Sequence, residues 1–338
     1  MISELPDDRL RSYIVNGITP SLSIAVGSKD EELFTFQEGT MSFVQEAPVQ
    51  RETLFNVGST TKMFTAALIV KLVEEGEVTL NDLVRRFIPE FPVPQITIGH
   101  LLTHTSGLRE VKLGWPGLGG IKAYFEALYG RTGWNALPET QFAYYTAGYS
   151  ILMDVIERIT GGTIEAYARA SLFDPLGMTR TTYDTASLVN GEFTVPCHKD
   201  RPGDESGEFR LATTGDSGLH STAAELIRFG RLLLNRGIWE GRRIFTEASV
   251  DLMFRERTGG RHAFSAIGMM KAANNPHGCF SDLNSPETIG HPGYSGCMLW
   301  IDPVYGLTGA VVTNSENLHE DWRNYRTLLA LSMKRALH

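Results

Sequence analysis

Phe55-Asn56-Val57-Gly58-Ser59-Thr60-Thr61-Lys62-Met63-Phe64-Thr65-Ala66 is the stretch on which the reading of this chain turns. Ser59 precedes a largely apolar run, Met63 to Val73, with no proline or glycine until Gly76. Phe64, Leu68 and Leu72 recur at helical spacing with Ile69 and Val73 beside them, which predicts a helix starting near Ser59. A helix that is apolar on most sides belongs in the middle of a domain. Ser59 and Lys62 are three residues apart, so both project from one face of its first turn. A hydroxyl at the mouth of a buried helix, with an amine one turn later, suits an activated nucleophile. The amine accepts the hydroxyl proton once burial and positive neighbours bring its pKa towards neutrality. The free N–H groups and positive dipole end of the helix favour a developing oxyanion. Ser-x-x-Lys alone arises about once by chance in a chain of this length, so its downstream partners decide its meaning.

Outward from that stretch, 338 residues, 42% of them hydrophobic, suffice for a substantial core in one large domain or two. The formal charge of −8 disfavours nucleic acid or an anionic membrane as a partner. Cys197, Cys279 and Cys297 are too few and too scattered for a disulfide framework, and no Cys-x-x-Cys zinc pattern occurs. Free, mostly buried thiols in a reducing compartment are expected. Met1 to Asp8 is polar and lacks the basic-then-apolar pattern of a signal peptide. No apolar run reaches transmembrane length. A cytoplasmic protein is the expectation.

Along the chain, Leu10 to Val15 closes a short helix, and Leu22–Val26 and Glu32–Phe36 read as strands joined by a polar turn at Ser28-Lys29-Asp30-Glu31. Glu74-Glu75-Gly76 ends the central helix, with the glycine placed for a cap. Ile88-Pro89-Glu90-Phe91-Pro92-Val93-Pro94 reads as a crossing into a second subdomain. Thr97 caps a helix to Leu102. Residues 109–137, rich in Gly, Trp and other aromatics, suit either a loop-rich wall over a pocket or an irregular connection. Tyr149 to Ile159 is an amphipathic helix closed by Gly161-Gly162, and Thr222-Ala223-Ala224-Glu225 is a capping box. Gly296–Ile301 and Leu307–Thr313 read as strands, followed by a helix from about Glu320 with Trp322, Tyr325, Leu329 and Met333 on one stripe. Strands at both ends with helices between predict an antiparallel sheet assembled from both termini, with a helical insertion.

Six motifs then fall in a recognisable order. They are Ser59-Thr60-Thr61-Lys62, Leu101-Leu102-Thr103-His104-Thr105-Ser106-Gly107-Leu108, Phe142-Ala143-Tyr144-Tyr145-Thr146-Ala147-Gly148-Tyr149, Pro175-Leu176-Gly177-Met178, Gly218-Leu219-His220-Ser221-Thr222 and His291-Pro292-Gly293. In this order the chain resembles the serine β-lactamase and penicillin-binding-protein superfamily, in its class C-like branch that includes esterases and D-aminopeptidases. The resemblance covers nearly the whole length. It implies an α+β/α, β-lactamase-like (DD-peptidase) fold, an antiparallel sheet of five or more strands flanked by helices. Residues 1–85 and 255–338 would form the sheet subdomain and 86–254 the helical one, with the site between them.

The same resemblance assigns roles. Ser59 would be acylated, with Lys62 and Tyr144 sharing its proton as a coupled pair. The N–H groups of Ser59 and Tyr294, beside Gly293, would form the oxyanion hole. His291 would line the site opposite Ser59, and Thr146 would contact substrate. Thr146 stands where the superfamily usually has asparagine, and His291 where β-lactamases have the lysine that receives a carboxylate. Both departures disfavour a β-lactamase or cell-wall peptidase. They leave hydrolysis of esters or small amides (an esterase or a D-amino-acid amidase or peptidase), or acyl transfer. No Gly-x-Ser-x-Gly elbow points to an α/β-hydrolase. A scaffold that kept the fold without the chemistry is the rival from another class. No metal or organic cofactor is implied: His100 and His104 are four apart but have no evident third ligand, and His104 reads as a strut for its loop. Asp216 and Glu287 read as solvated surface carboxylates.

Overall fold

The computed structural model describes residues 6–111, 113, 120–201, 213–274 and 278–337. Its central sheet contains β1 (Ser21–Ser28), β2 (Glu32–Gly39), β3 (Met270–Lys271), β4 (Ile289–Pro292), β5 (Met298–Asp302) and β6 (Leu307–Val312). Their order is β2-β1-β6-β5-β4-β3, every pairing antiparallel, with Ser23 opposite Val312 and Leu299 opposite His291. The N-terminal hairpin thus sits beside strands from the far end of the chain, as the apolar runs at the two ends predict. The principal helices are α1 (Pro6–Val15), α2 (Thr61–Glu74), α3 (Ile98–Leu102), α4 (Ile121–Arg131), α5 (Ala147–Thr160), α6 (Ala223–Leu234) and α7 (Trp322–Ala336).

Period-2 alternation divides the sheet between two apolar layers. Leu22, Ile24, Val26, Met298, Trp300 and Val311 pack with Leu10 and Tyr13 of α1 and with Tyr325, Leu328 and Leu329 of α7. Ala25, Leu299, Ile301, Ala310 and Val312 join the larger core of α2, α5 and α6. Both faces are covered, which explains why these strands read as nearly continuous apolar runs.

Helix α2 is buried from Thr61 through Val70 and again at Leu72, as its all-round apolar pattern requires. Its α-helical bonding starts two residues later than expected: Gly58–Thr60 form a 3-10 turn that leads into it. Gly76 follows with φ +79°, the left-handed conformation a helix-ending glycine supplies. Thr97 caps α3 reciprocally with His100, and Gly161 closes α5 in the left-handed region.

Three local readings need correction. Residues 121–131, expected to be irregular, form α4, whose Tyr124, Phe125, Leu128 and Tyr129 turn inward at helical spacing; Trp115 to Gly119 lie outside the described residues. Thr222 accepts the Glu225 N–H at 3.1 Å, but the Glu225 carboxylate reaches away to the N–H groups of Arg180 and Thr181 and does not close the box. Helix α7 begins at Trp322, which lies 39% exposed, while Leu328 takes its place on the buried stripe. No helix among the described residues is long and apolar enough to cross a membrane. All three cysteines are free and buried, in agreement with the sequence reading.

Candidate active site

The turn that presents Ser59 is held from two sides. A short strand, Leu54–Asn56, pairs antiparallel with His220–Ser221, and the Val57 N–H donates to the Leu219 carbonyl at 3.0 Å. Asn56 Oδ1 accepts the Gly58 N–H at 3.0 Å, and its Nδ2 donates to the Ser217 carbonyl at 3.0 Å. On the other side, Thr60 Oγ1 donates to the His291 carbonyl at 2.9 Å, tying the turn to β4. Backbone meets backbone here. A Cβ added to Gly293 would lie 2.2 Å from the Val57 carbonyl oxygen, and one added to Gly58, whose φ is +54°, would lie 3.0 Å from the Tyr294 nitrogen. The two nitrogens expected to form an oxyanion hole therefore belong to adjoining backbone segments, and glycines permit the approach.

Lys62 is fully buried and donates to Ser59 Oγ at 3.1 Å and to the Asp216 carbonyl at 2.9 Å. Its Nζ lies 5.1 Å from the centre of the Tyr144 ring and 5.7 Å from that of Tyr149. The distant second box thus reaches the Ser59–Lys62 pair. Tyr144 is fixed by His104, whose ring stacks on it at 4.3 Å, accepts the Tyr145 N–H at Nδ1 (3.0 Å), and whose carbonyl accepts the Ala143 N–H at 3.1 Å. His104 takes the left-handed region at φ +55° to do this. The strut reading holds. His100 instead caps α3, and among the described residues no group of three or more potential metal ligands occurs.

His291 does not line the pocket as expected. It is 2% exposed, lies 6.2 Å ring to ring from Tyr144, and packs 5.0 Å from Phe264. Its Nδ1 is 2.7 Å from the Pro292 carbonyl oxygen, which assigns the proton to Nδ1; Nε2 is buried without a partner. Burial, and then the charge of Lys62, pull the imidazole pKa down to about 3. It is neutral in ordinary buffers and cannot stand in for a carboxylate-binding lysine. Burial and Lys62 push His104 in the same direction.

The pocket beside Ser59 has a volume of about 410 Å³ and is walled by Asn56, Gly58, Thr146, Pro196, Asp216, Ser217, Tyr294 and Ser295. Ser59, Thr146 and Tyr294 are therefore on its surface; Lys62, Tyr144, Gly293 and His291 are not among the residues that line it. Asp216 corrects the sequence reading. It is 6% exposed and accepts from the Ser150 and Ser217 hydroxyls at 2.7 and 2.9 Å, which joins α5 to the pocket floor. Glu287 is surface-exposed, in agreement with the sequence reading, where it pairs with Lys271 at 2.9 Å. Glu110 was not anticipated: it accepts the Thr146 N–H at 2.9 Å at the head of α5. Both missed carboxylates adjoin recognised motifs, Asp216 just before Gly218–Thr222 and Glu110 just after Leu108, and that adjacency is the signal that could have found them.

The Beta-lactamase family profile matches residues 7–334, and the chain belongs to that family, one of serine hydrolases. Among curated relatives, Penicillin-binding protein 4 of Amycolatopsis lactamdurans is 28% identical, over 87% of this chain and 81% of its own length. Two solved structures share the fold: EstCE1, described as a hydrolase with promiscuous acyltransferase activity (TM-score 0.79, 19% identity, 97% of each chain), and the simvastatin synthase LovD of Aspergillus terreus (TM-score 0.79, 20% identity, 98% and 97%).

Proposed function

We propose that this protein is a serine hydrolase that cleaves esters or small amides through an acyl-enzyme on Ser59. The observation that carries the reading is the 3.1 Å contact between Ser59 Oγ and a fully buried Lys62, at the edge of an open pocket. In the proposed cycle Ser59 Oγ bonds to the substrate carbonyl carbon while its proton passes to the coupled Lys62–Tyr144 pair, which enters the cycle one proton short. Tyr144, beneath the same amine, relays the proton to the departing alcohol or amine as the scissile bond breaks. Water then attacks the Ser59 ester, giving up its proton to the same pair, which returns a proton to Ser59 Oγ as the Oγ–acyl bond breaks and the acid leaves. The Ser59 and Tyr294 N–H groups would hold the oxyanion in both steps. Neutral His291 would support the aromatic layer of Phe264 and Tyr144 from behind.

A fluorophosphonate probe should add to Ser59, located by peptide mass spectrometry, and Ser59→Ala should abolish turnover of a p-nitrophenyl ester. Full turnover in that variant would overturn the assignment. A non-catalytic scaffold would give no adduct with any ester or amide.

A further inference from the structure

The charge around the pocket bears on which acyl donors it accepts, a question that rests on the serine-hydrolase reading. Asp216 is the one charged side chain among the described residues lining the cavity. A second carboxylate, Glu110, holds the N–H of Thr146, another lining residue. Among the described residues the nearest cation is Lys62, which is wholly buried and directs its donors to Ser59 Oγ and the Asp216 carbonyl. Farther out, the Arg201 guanidinium contacts Glu316 at 3.0 Å, and the Tyr294 hydroxyl donates to the same carboxylate at 2.7 Å. His291 adds none, because its imidazole is neutral.

We propose that Asp216 and Glu110 set the sign of this pocket, so that the enzyme prefers acyl donors carrying an amine, accepts neutral ones, and rejects carboxylate-bearing ones. Amino-acid-type esters and amides with a free amine are the substrate class this field favours. Burial raises the Glu110 carboxyl, the Thr146 N–H opposes that rise, and the neighbouring Asp216 adds to it. Within a few ångströms of a substrate group, in a partly buried site, two such charges separate cationic from anionic donors by at least about tenfold.

The test compares three p-nitrophenyl esters of similar size: β-alanine (cationic), butyrate (neutral) and succinate (anionic), each corrected for spontaneous hydrolysis. The readout is the ratio of kcat/KM for the cationic to the anionic ester, in which a general loss of activity cancels. Glu110→Gln keeps an oxygen for the Thr146 N–H, and Asp216→Asn keeps the shape of its side chain. A wild-type ratio above about ten that falls severalfold in either variant supports the proposal. A ratio at or below one, or one that neither variant changes, overturns it while leaving Ser59 chemistry intact. No turnover of any ester, together with no phosphonate adduct, would overturn both readings.

Discussion

Replacing Lys62 by methionine separates the two things a buried amine can do, support the fold or carry protons. Its side chain is fully buried and gives two hydrogen bonds, to Ser59 Oγ and to the Asp216 carbonyl. Methionine has similar length and no charge. Losing a donor to the Asp216 carbonyl costs about 1–3 kcal/mol if the oxygen is left unpaired. Removing the buried charge relieves a desolvation penalty of several kcal/mol. The two oppose each other, so folding stability should stay within about 2 kcal/mol of wild type or rise. The reaction has no such offset. Loss of a positioned member of a proton-transferring pair typically costs about 10²- to 10⁴-fold in rate, equivalent to about 3–5 kcal/mol of barrier. Urea unfolding and kcat/KM on a p-nitrophenyl ester measure the two quantities on one preparation. A third readout is internal to the structure. Lys62 helps hold the His291 pKa at about 3, so His291 should titrate higher in Lys62→Met, as followed by imidazole NMR shifts. A variant that keeps more than about a tenth of wild-type kcat/KM would remove Lys62 from the proton-transferring pair. One destabilised by more than about 4 kcal/mol would show that the amine is retained for the fold.

Tyr144→Phe keeps the ring stacked on His104 and beneath Lys62 but removes the phenol, so kcat should fall by about 10²-fold or more with the melting temperature nearly unchanged; unaltered kcat would remove Tyr144 from the proton path. Acid should weaken the fold in a definite window. His291 and His220 are buried neutral, with pKa values lowered by burial to about 3 and about 4. Between those values and the unfolded value of about 6.5 the unfolded chain binds more protons, so stability is full above about pH 6.5 and falls as pH drops towards 4. From pH 7 to 5 each histidine should cost about 2 kcal/mol by urea titration. His220→Gln should remove about that much of the pH dependence, and an unchanged slope would contradict the burial argument.

Much of this architecture was legible in local pattern. The central helix, the N-terminal hairpin, the two long C-terminal strands and the helix now seen as α5 all announced themselves through periodicity and turn residues, because burial of one or both faces imposes period 2 or 3.6 on the chain. Helix α4 was hidden by its Gly- and aromatic-rich setting, where composition resembled a loop although Tyr124, Phe125, Leu128 and Tyr129 kept helical spacing. Ser59 and Lys62 were readable together because one helical turn joins them.

What sequence by itself determined is therefore the set of elements, the pairing of Ser59 with Lys62, and the order of motifs that marks the family. Tertiary structure decided that Asp216 lines the pocket, that His291 is buried away from its lining, and how Tyr144 meets Lys62. The reason is physical. Spacing along one element is a local property of backbone geometry, whereas the burial of Asp216, the neutrality of His291 and the approach of Gly293 to Val57 depend on segments far apart in the chain that only the packed core brings within contact distance.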